Sequence, residues 1–140
     1  MVAADTSSMV AFLQDGEGDD VDLIQAALDH QQLVLPPVVL TELLSEPSLP
    51  PAIRSLLAAL PQLNIEPGYW ERAGLLRASI LRQRRKARVA DALIAQSCID
   101  QSAPLVTRGL RGMQHGLSTA SEWRIVKKSV VHSQTFPAMS

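Results

Sequence analysis

Short apolar runs alternate along this chain with stretches of helical periodicity. Val2-Ala3-Ala4 opens it and gives way abruptly to Asp5-Thr6-Ser7-Ser8, after which Met9-Val10-Ala11-Phe12-Leu13 begins a short helix. A buried parallel strand passing into a helix has this pattern, with polar residues at the strand's carboxyl end. The segment 15–20 is rich in Asp, Glu and Gly and reads as a solvated loop. Asp20 or Asp22 can then cap a helix whose apolar face is Leu23, Ile24, Ala27 and Leu28.

Leu33-Val34-Leu35 is the next compact strand, stopped by Pro36-Pro37. Pro37 suits the first turn of a helix over 38–45. A proline-punctuated loop follows. A helix then carries Ile53, Leu56, Leu57 and Leu60 inward and stops at Pro61. Leu63-Asn64-Ile65 is a brief candidate strand. Tyr69 to about Arg85 reads as a long amphipathic helix, with Ala73, Leu76, Ile80 and Leu81 on its inner side. Residues 89–99 form an apolar helix, and Leu105-Val106-Thr107 a further strand. Trp123-Arg124-Ile125-Val126 is a candidate edge strand, and 127–140 a flexible tail with weak periodicity. This alternation predicts one α/β domain over residues 1–126, a sandwich with a mainly parallel sheet.

Composition narrows the class. At 140 residues with 46% hydrophobic and 19% charged positions, the chain can build a core and is not disordered by composition. A single cysteine, Cys98, excludes an internal disulfide and fits a reducing, cytoplasmic setting; it reads as a packed small hydrophobe. No basic-then-apolar leader is expected at the N-terminus, and no apolar run approaches the roughly 20 residues that span a bilayer. His30, His115 and His132 lie far apart, without metal-ligand spacing.

Charge changes the picture more. The net charge is −1, yet residues 1–53 hold nine acids and no base, and 54–140 hold thirteen bases and five acids. Such a chain can present an acidic pocket beside a basic surface, which suits action on a polyanion; plain internal charge balance is the alternative. The bases concentrate in Arg82-Gln83-Arg84-Arg85-Lys86-Ala87-Arg88, dense enough to neutralise nucleic-acid phosphates, although a solvated helix end has the same look.

Three isolated acids carry the candidate chemistry. Asp5 ends the first strand, where ligands sit in open α/β sheets, and it can equally N-cap the next helix. Glu42 lies three and four residues after Val39 and Val38, on their face. Asp91 shares a stripe with Ile94, Ala95 and Cys98. A carboxylate on such a stripe must be paired, metal-bound or at a cleft edge. Gathered carboxylates repel and call for a cation, and oxygen donors select hard ions such as Mg²⁺ or Mn²⁺.

Four stretches agree in order and spacing with a known family: Ala4-Asp5-Thr6-Ser7, Leu35-Pro36-Pro37-Val38-Val39-Leu40-Thr41-Glu42-Leu43-Leu44, Ala90-Asp91-Ala92-Leu93-Ile94-Ala95 and Pro104-Leu105-Val106-Thr107-Arg108. Over about residues 2–126 the sequence resembles the PIN-domain nucleases, in particular VapC-like toxins of toxin–antitoxin systems. The resemblance implies a Rossmann-like three-layer fold and a Mg²⁺- or Mn²⁺-dependent endoribonuclease. It also implies a homodimer, inhibition by a small antitoxin protein, and Asp5, Glu42 and Asp91 as the acidic metal-site residues. Ser7 and Thr107 would then position the metal-bound water or the phosphate. Arg85, Arg88 and Arg108, with Arg111, would hold RNA phosphates.

One departure stands out. Where the family usually has a further acid and, three residues on, an aromatic, this chain has Gly109 and Gly112. Asp100 is a poor substitute, since it projects from the opposite side of its helix from Asp91; Glu122 is a second candidate. The departure opens an alternative reading, a catalytically weakened PIN domain that binds RNA or a protein. A third reading makes the acids mere helix caps.

Overall fold

A computed structural model of the chain describes residues 1–108. Three strands, β1 (Val2–Ala4), β2 (Leu33–Val34) and β3 (Leu105–Val106), form an all-parallel sheet in the order β2-β1-β3. Among the described residues, six helices flank it: α1 (Thr6–Leu13), α2 (Asp19–Asp29), α3 (Pro37–Leu44), α4 (Pro51–Ala59), α5 (Tyr69–Arg82) and α6 (Val89–Gln101). The architecture is the expected α/β sandwich. Parallel neighbours need long crossovers, and the helices supply them.

The strands are short and apolar on both faces because helices cover both. Val2, Ala3, Ala4, Leu33, Val34, Leu105 and Val106 are all buried, with Met9, Ile24, Leu35, Leu57 and Ile80 completing the core. After β1 the chain builds β2 on one side and returns to build β3 on the other. Strand order therefore reverses at β1, which opens a crevice beyond the carboxyl ends of β1 and β3. Asp5 and Thr107 are the residues immediately after those ends, and the Asp5 N–H donates to the Val106 carbonyl at 3.1 Å.

Several expectations need correction. Residues 63–65 form no strand: a single parallel bridge joins Leu35 to Gln62, and the chain then leaves the sheet. The bridge is made by the Leu35 N–H donating to the Pro61 carbonyl at 2.9 Å and the Leu63 N–H donating to the Leu35 carbonyl at 3.0 Å. Helix α2 is capped by Gly18 rather than Asp20 or Asp22, both of which fall in its first turn. Leu56 and Leu81 are exposed, so the inner faces of α4 and α5 are narrower than their periodicity suggests. Helix α5 ends at Arg82, with Arg84 in the left-handed region (φ 59°), so most of the basic run lies in the α5–α6 connection. The proposed edge strand 123–126 and tail 127–140 lie outside the described residues.

Candidate active site

The corner after β1 is built from one acid with four partners. Asp5 is buried, with 8% of its surface exposed. Its Oδ1 accepts the Ser8 N–H at 2.9 Å and the Ser7 hydroxyl at 3.1 Å, and its Oδ2 accepts the Thr107 hydroxyl. Its backbone N–H is held by β3. Capping and cleft placement are therefore both realised in one side chain: the Ser8 bond caps α1, and the Thr107 bond joins it to the neighbouring strand end. A buried carboxylate so bonded stays in one orientation.

Glu42 comes from α3, which starts at Pro37 in its first turn, as the Pro-Pro pair dictates. Val39 and Leu43 on this helix are buried, and Glu42 is half-buried beside them. The Thr6 hydroxyl donates to Glu42 Oε1 at 2.7 Å. Consecutive residues Asp5 and Thr6 thus bind to β3 and α3 respectively, and so draw two of the three acids to the start of α1. Glu42 also lines an open groove of about 580 Å³ with Val10, Leu13, Leu49 and Ile53.

Asp91 is in the first turn of α6, where a negative charge is favoured by the helix dipole. Ile94, Ala95 and Cys98 on its stripe are buried, while the Asp91 side chain keeps 35% exposure. It therefore sits at an edge, not in the interior. Arg88, the N-cap residue of the same helix, pairs with it: Nε to Oδ2 at 3.4 Å and Nη2 to Oδ1 at 3.5 Å. The hydrogen bond and charge of Asp91, together with the charge of Glu42, raise the Arg88 pKa further above its ordinary value. The Asp5 charge in turn reaches Cys98, one α6 turn beyond Ala95; burial first, and then that charge, push the Cys98 thiol up to about 12. The thiol is inert at neutral pH, as a packed cysteine should be.

The remaining candidates are placed differently. Ser7 is exposed and bonded to Asp5, and Thr107 is buried against Asp5. Arg85 is exposed on the α5–α6 connection. Arg108 turns away to the start of α2, pairing with Asp20 at 2.9 Å and donating to the Glu17 carbonyl at 2.5 Å. Burial, the largest single influence, would raise the Asp20 pKa, but the hydrogen bonds of Arg108, Ser8 and the Val21 backbone, with the Arg108 charge, together outweigh it and hold this carboxyl below its ordinary value. Gly18, at φ 143°, leaves room for that crossing, since a Cβ there would lie 2.7 Å from Asp20 Oδ1 and 3.0 Å from Arg108 Nη2. Asp100 takes no part in the acid corner: Arg72 pairs with it at 2.5 Å and Gln96 donates to it. Gly109, Gly112, Arg111 and Glu122 lie outside the described residues.

Sequence reasoning did not single out Thr6 as the residue that fixes Glu42, or Arg88 as the partner of Asp91. The second had a signal, because a base and an acid three residues apart at a helix start are neighbours on its surface.

A match to the family model described as PIN domain covers residues 2–115, more than three quarters of the chain. The chain belongs to the PIN-domain family. PIN domains are typically metal-dependent nucleases. No curated protein matches the chain at a significant level. The donor chemistry fits a hard divalent cation, since Asp5, Glu42 and Asp91 offer only carboxylate oxygens. Among the described residues, no three His, Cys, Asp or Glu side chains come close enough to enclose an ion. No helix among the described residues is long and apolar enough to cross a membrane.

Proposed function

We propose that this PIN domain is a Mg²⁺- or Mn²⁺-dependent endoribonuclease that acts as a toxin and is neutralised by a cognate antitoxin protein. The observation that carries the nuclease reading is the corner at the strand-order reversal, where Asp5 is locked to Thr107 and Glu42 to Thr6. The toxin role, the antitoxin, a homodimer and a cytoplasmic site of action rest on the likeness of the four motifs to VapC-like proteins.

A divalent cation bound there supplies an activated water and offsets charge developing on the scissile phosphate. Asp5 and Asp91 are the proposed direct ligands. Glu42, oriented by Thr6, is a ligand or orients water. Thr107 and Ser7 hold Asp5 in place, so that its orientation costs no reorganisation during reaction. Among the bases, Arg85 and its exposed neighbours on the α5–α6 connection meet RNA phosphates, a contribution that weakens as salt rises. Arg108 is engaged with Asp20 and ties the end of β3 to α2.

The test is cleavage of a mixed cellular RNA pool by the purified protein with Mg²⁺, with Mn²⁺ and with a chelator, beside Asp5→Asn. Asn preserves the cap of α1, so the variant keeps its helix content. Metal-dependent cleavage lost in Asp5→Asn supports the assignment; undiminished cleavage by Asp5→Asn overturns it. A second reading, an RNA- or protein-binding PIN domain with weakened catalysis, is favoured by Gly109 at the position of the usual further acid. Gly109→Asp separates the two: a large gain in cleavage marks a damaged enzyme, and no change marks a three-acid site or a binding module.

A further inference from the structure

We propose that Arg88 is a built-in counter-ion of the acid site, held loosely on Asp91 and displaced when a divalent cation enters. The inference rests on the metal-site reading above. Three observations carry it. Arg88 reaches Asp91 with both Nε and Nη2, but at 3.4 and 3.5 Å, the outer limit of hydrogen-bond distance. Its side chain is 82% exposed, so water can replace its contacts when it leaves. Its position is nevertheless set: Arg77 Nε donates to the Ala87 carbonyl at 2.9 Å, which fixes the backbone immediately before Arg88 against α5.

The physical need is plain. Asp91 is a partly buried carboxylate on an otherwise apolar stripe, and such a charge is costly unless an opposite charge lies beside it. Without a cation, Arg88 supplies that charge. A divalent ion arriving at Asp91 competes for the same carboxylate oxygens and repels the guanidinium, which swings out on its long side chain. The α6 N-cap thus tunes how tightly the site takes a metal.

The experiment is calorimetric titration of Mn²⁺ into wild type, Arg88→Gln, Arg82→Gln and Asp91→Asn at one ionic strength, with folding checked by circular dichroism. Arg82→Gln removes the same charge from an exposed position at the end of α5. The expected result is Mn²⁺ binding about two- to fivefold tighter in Arg88→Gln, the size of an exposed ion pair's contribution. Arg82→Gln is expected to match wild type, and Asp91→Asn to bind far more weakly. Equal or weaker binding in Arg88→Gln, or equal tightening in Arg82→Gln, with binding still dependent on Asp91, overturns the counter-ion role and leaves the metal reading standing. No Mn²⁺ binding by wild type or Arg88→Gln overturns the metal reading, and the counter-ion role with it.

Discussion

Helix α6 carries two carboxylates, Asp91 and Asp100, each paired with an arginine, and the two pairs are built for opposite purposes. Asp100 is packed between α5 and α6 with 9% of its side chain exposed, and Arg72 of α5 meets it at 2.5 Å with Nε and Nη2 both engaged. Gln96 donates a further bond at 2.8 Å. Asp91, at the other end of the helix, is 35% exposed and meets Arg88 only at 3.4 Å. The first pair joins two helices and buries its carboxylate. The second lies within one helix turn, joins nothing, and leaves its carboxylate exchangeable. Similar residue chemistry thus yields a clamp at one end and an available ligand at the other. Burial and the number of partners make the difference, not the acid–base pairing itself.

The comparison breaks most visibly in activity. Asp91→Asn should lower RNA cleavage by about 100-fold or more, the scale for losing a group that stabilises developing charge, with little change in melting temperature. Asp100→Asn should do the reverse. Its cleavage should stay at the wild-type level, while its melting temperature falls by roughly 2–5 °C, as Arg72 loses its opposite charge and meets an amide donor in place of one carboxylate oxygen. Loss of cleavage in Asp100→Asn with an intact fold would erase the distinction between the two ends.

Thr107→Val tests the Asp5 corner with an isosteric change. It leaves a buried carboxylate oxygen short of a donor, so stability should drop by about 1–3 kcal/mol in denaturant titration. Cleavage should fall with it, because Asp5 loses its fixed orientation.

A smaller effect is expected with pH. The Arg72 hydrogen bond holds the Asp100 carboxyl below its ordinary value of 3.8, against the upward push of burial. A carboxyl with a depressed folded-state pKa contributes stability that is fully present above the ordinary value and is lost as pH falls through the lower, folded-state one. Wild-type melting temperature should therefore decline below about pH 4. The Asp100→Asn curve should be flatter there. The smallest effect is Arg88→Gln without metal: the pair is exposed, so the melting temperature should change by no more than about 1 °C.

Much of this was legible before any coordinates. Apolar runs, a Pro-Pro stop and helical periodicity predict strands at 2–4, 33–35 and 105–107 and a helix over 38–45, each within one residue of the observed bounds at either end. For Asp91 the apolar stripe left three possibilities, a pair, a metal or a cleft edge, and the structure shows it both paired with Arg88 and at an edge. Less legible were the inner faces. Leu56 and Leu81 have the right spacing, but nothing packs over them deeply enough to bury them. The basic run also hid its structure, since charge density does not say where a helix stops, and Arg84 in the left-handed region is what ends α5.

What the sequence determined by itself was the order of elements and the types of donor: local periodicity and residue chemistry need no knowledge of distant neighbours. Only the tertiary structure decided who meets whom. Thr107 reaches Asp5 across 102 positions, Arg108 reaches Asp20 across 88, and Thr6 reaches Glu42 across 36. Such pairings depend on which strands lie side by side at the reversal of strand order. That order is set by packing of the whole sheet and its helices, so no single motif could specify it.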